Sequence, residues 1–172
     1  MVKLTPELID DSRQFINPVQ DRELDMRGYK IPAIENLGAT YNQFDTIDFS
    51  ENDLKRLENF PLLPRIKTLI FNNNRISQVE ADLGSSLPSL QSLVLTNNAF
   101  QELGDLDPLK SLPKLEHLSL MGNPVTHKAH YRYYVIYRIP QLRVLDYRRI
   151  KLKDRETAKS LFKGKKGTKL KE

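Results

Sequence analysis

The chain has 172 residues, 39% of them hydrophobic and 28% charged, so it is long enough for one domain with a substantial core. It has no apolar run of membrane-spanning length, no secretory signal and no cysteine, which excludes a membrane helix and predicts a reducing compartment. The net charge is +5, but residues 147–172 alone carry eleven basic and three acidic residues. A basic end on a near-neutral domain predicts either an anionic partner or a solubilising or nuclear-import tail.

The amino end of the chain is predicted to form a helical cap over residues 1–20. Thr5-Pro6 is typical of a helix start, with threonine as the N-cap and proline at the first helical position. The apolar residues that follow recur at helical spacing: Leu8, Ile9, Phe15 and Ile16. Asn17-Pro18 ends this segment, so we expect one helix that runs through Ile16.

Residues 21–126 contain five copies of the pattern Leu-x-x-Leu-x-Leu-x-x-Asn-x-Leu, and a half copy follows. The matching residues are Leu24, Met26, Tyr29 and Ile31; Phe44, Ile47, Phe49, Asn52 and Leu54; Ile66, Leu69, Phe71, Asn74 and Ile76; Leu90, Leu93, Leu95, Asn98 and Phe100; Leu115, Leu118, Leu120, Asn123 and Val125; and Leu142, Leu145 and Tyr147. Equivalent positions lie 23, 22, 24, 25 and 27 residues apart, a period typical of leucine-rich repeats. We therefore predict an α/β fold, a leucine-rich-repeat solenoid with a parallel sheet on its concave face and helical caps at both ends.

The residues of this pattern are interpreted as structural. Alternation along each short strand sends the leucines into a shared core, while the asparagine pairs with backbone groups where the chain turns. A carboxyl-terminal cap over 127–162 is predicted from two helices, one through Tyr131, Tyr134, Val135 and Ile139 and one from Asp154 to Phe162. The tyrosine cluster is interpreted as cap packing, with base stacking as the alternative. A basic tail over 163–172 completes a single repeat domain that spans 1–162.

No arrangement of residues in the sequence predicts catalysis. The three histidines, His117, His127 and His130, have no cysteine or carboxylate pair near them, so they make a poor metal site. The segment 164–168 lacks the spacing and the preceding strand of a phosphate loop. We therefore expect no metal, no cofactor, no small-molecule substrate and no enzymatic activity.

The strand residues between the buried leucines are predicted to line the concave face. They are Asp25, Arg27, Thr46, Asp48, Ser50, Thr68, Ile70, Asn72, Ser92, Val94, Thr96, His117, Ser119 and Met121. Apolar side chains at Ile70, Val94 and Met121 indicate a protein interface, with β-propensity alone as the alternative. Six strands about 4.8 Å apart give a sheet roughly 24 Å wide, which accommodates a helix of about sixteen residues. The residues predicted to bind such a partner are Asp25, Arg27, Asp48, Thr68, Ile70, Asn72, Val94, Thr96, His117 and Met121.

Several motifs closely resemble the A-prime family of the U2 small nuclear ribonucleoprotein. They are RELDMRGYKIP at 22–32, IENLGAT at 34–40, ELGDLDPL at 102–109, NPVT at 123–126, YRYYVIYR at 131–138 and PQLRVLD at 140–146. The resemblance extends over essentially the whole chain. These motifs are far more specific than the repeat pattern itself.

The resemblance implies a non-catalytic scaffold subunit of the spliceosome that acts in pre-mRNA splicing in the nucleus. It implies a partner, the RNA-recognition-motif protein B-double-prime, with one of its helices in the repeat arc, and joint binding of a U2 small nuclear RNA hairpin mainly through that partner. The residues expected to contact RNA phosphates are Arg27, Lys30, Arg148, Arg149, Lys151 and Lys153. The alternative is a leucine-rich-repeat regulatory subunit of a nuclear phosphatase or other enzyme, which would favour a longer arc and an acidic inner face.

Overall fold

The computed structural model describes residues 2–164 as an alternation of short strands and helical or irregular return segments. In chain order the elements are α1 (Pro6–Asp11), β1 (Arg13–Ile16), β2 (Arg22–Asp25), a 3₁₀ helix (Leu37–Thr40), β3 (Thr46–Asp48), β4 (Arg56–Leu57), β5 (Thr68–Ile70), β6 (Gln78–Val79), α2 (Leu83–Ser86), β7 (Ser92–Val94), a 3₁₀ helix (Leu103–Ser111), β8 (His117–Ser119), a 3₁₀ helix (Pro124–His127), α3 (Tyr131–Arg138), β9 (Val144–Leu145), β10 (Arg148–Arg149) and α4 (Leu152–Phe162).

One sheet of eight strands joins all the repeats, in the order β1-β2-β3-β5-β7-β8-β9-β10. The six inner strands are parallel, and the register pairs equivalent leucine positions of successive repeats, such as Leu69 with Leu93 and Leu93 with Leu118. The predicted parallel sheet is therefore confirmed. The two outer strands, β1 and β10, are antiparallel to their neighbours and were not predicted. Strands β4 and β6 form a second, two-stranded parallel sheet in the return segments.

Leucine and phenylalanine side chains of the repeat pattern form a continuous buried core. Phe49 and Phe71, at the same position of adjacent repeats, stack with ring centroids 5.5 Å apart. Burial of one such side chain contributes about 1.5–3 kcal/mol. Because a repeat can bury its apolar face only against its neighbours, the stack as a whole provides the stability.

The pattern asparagines connect each repeat to the one before it. The Asn98 side-chain amide donates to the carbonyls of Phe71 and Leu95, at 2.9 and 3.0 Å, and its oxygen accepts from the Ile76 N–H at 3.0 Å. The side chains of Asn52, Asn74 and Asn123 make equivalent bonds. The predicted role of the asparagine, to pair with backbone groups at the turn, is confirmed.

The amino-terminal cap differs from the prediction after its first helix. The Thr5 side chain caps α1 as expected, accepting from the Leu8 N–H at 3.1 Å. The helix ends at Asp11, so the prediction that it continues through Phe15 and Ile16 was wrong. Both residues lie in β1, which supplies hydrogen bonds to the edge of β2. An unpaired edge leaves backbone groups without partners, and that requirement outweighs the helical spacing of two apolar residues.

The carboxyl-terminal cap contains the two predicted helices. Helix α3 begins at Tyr131, and α4 ends at Phe162 with Ala158 and Phe162 buried. Tyr134 and Phe162 meet edge to face with ring centroids 5.4 Å apart, so the tyrosine cluster packs the cap as interpreted from the sequence. From residue 165 onward, the basic tail predicted over 163–172 lies outside the described residues. The predicted domain boundaries stay predictions.

The prediction from the half copy of the repeat pattern was wrong at its last position. Tyr147 was expected in the core, yet it is 63% exposed. Asp146 and Tyr147 both have positive φ angles, 52° and 63°, and form the two-residue loop between β9 and β10. Both central residues of a type I′ hairpin turn require positive φ, so the chain reverses here and turns Tyr147 outward.

Within residues 2–164, no helix is both long enough and apolar enough to cross a membrane. The same residues contain no group of three or more histidine, cysteine or acidic side chains suited to hold a metal ion.

Candidate partner-binding face

Equivalent strand positions form rows of side chains that run across the concave face. Strand register places Asp25 beside Asp48, Asp48 beside Ile70, and Ile70 beside Val94. A parallel row contains Thr46, Thr68, Ser92, His117 and Val144. A third row, just after the strands, contains Ser50, Asn72, Thr96 and Met121. The backbone carbonyl of each accepts a hydrogen bond from an N–H of the preceding repeat. These rows hold nine of the ten residues that the sequence predicted to bind a partner. The tenth, Arg27, extends the third row at its amino-terminal end.

The centre of this face is apolar and partly accessible. Ile70 and Val94 are half-buried neighbours, and Met121 is exposed at the end of its row. Thr46, Ser50 and Ser119 lie in or beside these rows but are only 2%, 6% and 1% exposed, so they offer little surface to a partner.

The hydroxyl groups of Ser50 and Ser119 hydrogen-bond to half-buried polar residues of the third row. The Ser50 hydroxyl accepts a hydrogen bond from the Asn72 N–H at 3.1 Å. The Thr96 and Ser119 hydroxyls are 3.0 Å apart and share a hydrogen bond. The side-chain oxygen of Asn72 is buried and accepts no hydrogen bond from the described residues.

Charge is concentrated at the amino-terminal end of the face. Arg27 donates two hydrogen bonds to the Asp25 carboxylate, both at 3.0 Å, and its Nε lies 3.9 Å from Asp48 Oδ2. The hydrogen bond from Arg27 lowers the pKa of Asp25 below its usual value and outweighs the opposing effect of partial burial. Because the Arg27 guanidinium already has two carboxylates beside it, an RNA phosphate at this position would have to compete with them.

The carboxyl-terminal end of the face carries Tyr147, which the repeat pattern placed in the core. The exposed Tyr147 ring meets His117 edge to face, with ring centroids 6.2 Å apart. The sequence contains one signal for this outcome. The position three residues after Tyr147, where the pattern requires asparagine, is Ile150. Without the asparagine, the usual turn cannot form.

Four of the six predicted phosphate-contacting residues lie together at this end. Arg148 and Arg149 form β10, and pairing of Arg149 with Val144 places Arg149 on the concave side. Lys151 and Lys153, at the start of α4, are exposed. The remaining two, Arg27 and Lys30, lie at the opposite end of the sheet, beyond β2.

Comparison with known proteins decides the family. The leucine-rich repeat family profile matches residues 1–172. The U2 small nuclear ribonucleoprotein A' proteins of Homo sapiens and Mus musculus are each 60% identical over 170 residues, covering 99% of this chain and 67% of the relative. This chain belongs to the U2 small nuclear ribonucleoprotein A' family. The A' protein of Arabidopsis thaliana is 57% identical over 165 residues, 96% of this chain and 66% of that relative.

A solved A' structure has the same fold as this chain. One chain of the crystal structure of the Drosophila melanogaster SNF/U2A' complex is 58% identical, with a TM-score of 0.95 over 99% of this chain and 98% of that chain. Membership of the A' family confirms the predicted leucine-rich-repeat fold and the predicted type of protein, a repeat subunit of a spliceosomal ribonucleoprotein. The relatives are named as ribonucleoprotein subunits and not as enzymes, in agreement with the prediction of a non-catalytic protein.

Proposed function

We propose that the concave face of this chain binds a helix of an RNA-recognition-motif protein similar to B-double-prime. Together, the two proteins bind a hairpin of U2 small nuclear RNA in the nucleus, as part of pre-mRNA splicing. The observation that carries the proposal is the likeness to an A' chain crystallised in a complex with SNF. The A' relatives favour this function over the alternative of a phosphatase regulatory subunit.

The polarity of the face suits a helix laid across the strands. Ile70 and Val94 offer apolar surface at the centre. Asp25 and Asp48 together outnumber the one Arg27 beside them, which leaves this end with a net negative charge that favours basic residues of the partner. At the other end, Tyr147 adds an exposed ring of a type enriched at interface hot spots. The partner helix is therefore expected to be apolar at its centre and basic at one end.

Replacement of Ile70 and Val94 together by aspartate tests this proposal. Both side chains lie at the accessible centre of the face, so we expect the variant to remain folded by circular dichroism. Two charges buried against an apolar helix should weaken partner binding at least 100-fold, which corresponds to about 2.7 kcal/mol. Calorimetric titration with the partner measures the loss.

Leu62→Asp provides the matched control. Leu62 is 66% exposed and lies between β4 and β5, outside the concave rows, so the same chemical change should leave affinity unaltered. A folded Ile70→Asp/Val94→Asp variant that binds the partner at wild-type strength would show that the interface lies elsewhere.

RNA binding by the chain alone is expected to be weak and without sequence preference. Arg148, Arg149, Lys151 and Lys153 present exposed charge suited to phosphates, which carry no sequence information. Fluorescence anisotropy of a labelled hairpin, titrated with the chain alone and with the two-protein complex at several salt concentrations, distinguishes the contributions. Tight hairpin-specific binding by the chain without a partner would contradict the proposal.

A further inference from the structure

A groove between α3 and α4 lies outside the concave face. It has a volume of about 310 Å³ and is open to solvent on one side. Its lining consists of Ile136, Tyr137, Pro140, Arg155, Lys159 and Lys163, and apolar atoms form most of that lining. None of these residues lies in a strand of the main sheet, so the proposed concave interface does not account for it.

The floor of the groove is held in place by the cap. The Tyr137 ring lies against Phe162, with centroids 6.0 Å apart and planes at 27°. Phe162 is buried, yet Tyr137 remains 37% exposed. One face of the tyrosine ring is thus packed while the rest of it is accessible. An exposed apolar surface of this kind, next to charged residues, is typical of an interaction site.

The rim of the groove is basic. Arg155 and Lys159 are four residues apart on one side of α4, and Lys163, the C-cap of this helix, lines the same groove. The Arg155 guanidinium donates to the carbonyls of Pro140 and Leu142 and is thereby fixed at the edge of the groove. Among the described residues, no carboxylate forms an ion pair with Lys159 or Lys163. Their charges are therefore available to an acidic ligand.

We propose that this groove is a second protein-docking site, which takes an acidic peptide segment carrying one large apolar side chain. The apolar side chain would occupy the floor formed by Ile136, Tyr137 and Pro140, while acidic neighbours pair with Lys159 and Lys163. The sequence of residues 165–172 does not have this chemistry, because it contains four lysines and one glutamate.

Charge alone would also attract RNA, but the lining favours a peptide. Base recognition combines stacking on an aromatic face with hydrogen bonds to the base edges. Tyr137 keeps one free ring face, but its neighbours Ile136 and Pro140 have no side-chain group that can hydrogen-bond to a base edge. An apolar anchor, in contrast, gains free energy from burial against the exposed surfaces of Tyr137 and Pro140.

NMR titration of the isotope-labelled chain tests the proposal with four probes. These are a twelve-residue Asp/Glu peptide with a central Leu-Trp pair, the same peptide with Ser-Ser at its centre, a lysine peptide with the Leu-Trp pair, and an eight-nucleotide poly-uridine RNA. We expect only the first peptide to shift the amide signals of Ile136, Tyr137, Lys159 and Lys163 appreciably. The amide signals of Ile70 and Val94 on the concave face should not move.

Charge-reversal variants give the decisive comparison. Lys159→Glu/Lys163→Glu should weaken binding of the acidic Leu-Trp peptide at least tenfold, whereas Lys55→Glu/Lys67→Glu, with the same change in net charge at other exposed lysines, should weaken it less than threefold. Equal weakening by both variants would reduce the effect to non-specific charge and overturn the proposal. Preferential binding of the RNA, movement of concave-face signals, or no binding by the acidic Leu-Trp peptide would overturn it as well.

Discussion

Asn98→Ala should destabilise the chain by about 3 kcal/mol, because it leaves the buried Ile76 N–H unpaired and removes two further hydrogen bonds. The Asn98 side chain is 8% exposed and makes three close hydrogen bonds, two to carbonyls of adjacent repeats and one from the Ile76 N–H. The unpaired Ile76 N–H costs about 1–3 kcal/mol. The Phe71 and Leu95 carbonyls keep a donor from Asn74 and Asn123, so each lost bond to them costs only about 0.5–1.5 kcal/mol, and the sum is about 3 kcal/mol. That loss is a large fraction of a typical stability of about 5–15 kcal/mol.

Urea unfolding followed by circular dichroism measures this change. Asn97→Gly is the matched control, since Asn97 is exposed at the adjacent position and has a φ of 56°, a conformation that glycine adopts readily. We expect the control to change the free energy of unfolding by less than about 1 kcal/mol. If Asn98→Ala costs no more than Asn97→Gly, with the same dependence on urea, the asparagine bridge does not hold the repeats together.

Three further predictions concern the two ends of the concave face and the adjoining edge of the sheet. Lys151→Gln/Lys153→Gln should lower the salt slope of RNA binding, measured in the complex with partner and hairpin, by about 0.7–0.9 for each phosphate that is no longer neutralised. The preference among hairpins should not change, and an unchanged slope would show that these lysines do not contact phosphates. Tyr147→Asn should weaken partner binding about tenfold with no loss of thermal stability, because asparagine tolerates the left-handed backbone at this position; wild-type affinity in calorimetry would remove Tyr147 from the interface. The hydrogen bond from Arg65, at 3.0 Å, lowers the pKa of Asp45 in the folded chain. The contribution of this pair is therefore fully present above the unfolded-state pKa and is lost as the pH falls through the lower folded-state value. In urea titrations, the stability gap between wild type and Asp45→Asn should close as the pH falls below the usual aspartate pKa of 3.8, and a constant gap would contradict the ion pair.

The repeat stack could be predicted from the sequence because its signals are local and recur. A Leu-x-Leu strand and an asparagine at a set distance appear in repeat after repeat, so an error at one copy, such as Tyr29 in place of asparagine, does not alter the pattern. The same register identified which strand positions face outward, and hence the apolar centre at Ile70 and Val94. The two helices of the carboxyl-terminal cap were also evident, from apolar periodicity and Pro140.

The ends of the stack and the detail of its surface depended on interactions between residues distant in sequence. Phe15 and Ile16 lie in β1, which pairs with the open edge of β2, although their spacing was that of a helix. The hairpin at Asp146 and Tyr147 reversed the last strand and exposed a ring that the pattern assigned to the core.

The accessibility of the concave residues and the pairing of charges also depend on the tertiary structure. Ser119 is covered by its neighbours, and Arg27 is paired with Asp25 and Asp48, which lie on two different strands. The groove beside Tyr137 exists only because α4 returns to pack on α3. The amino-acid sequence by itself determined the period, the core and the outward rows, since these follow from local alternation. Edge pairing, side-chain coverage and ion pairs depend on how far apart the folded chain places residues from separate repeats, and no local pattern encodes that distance.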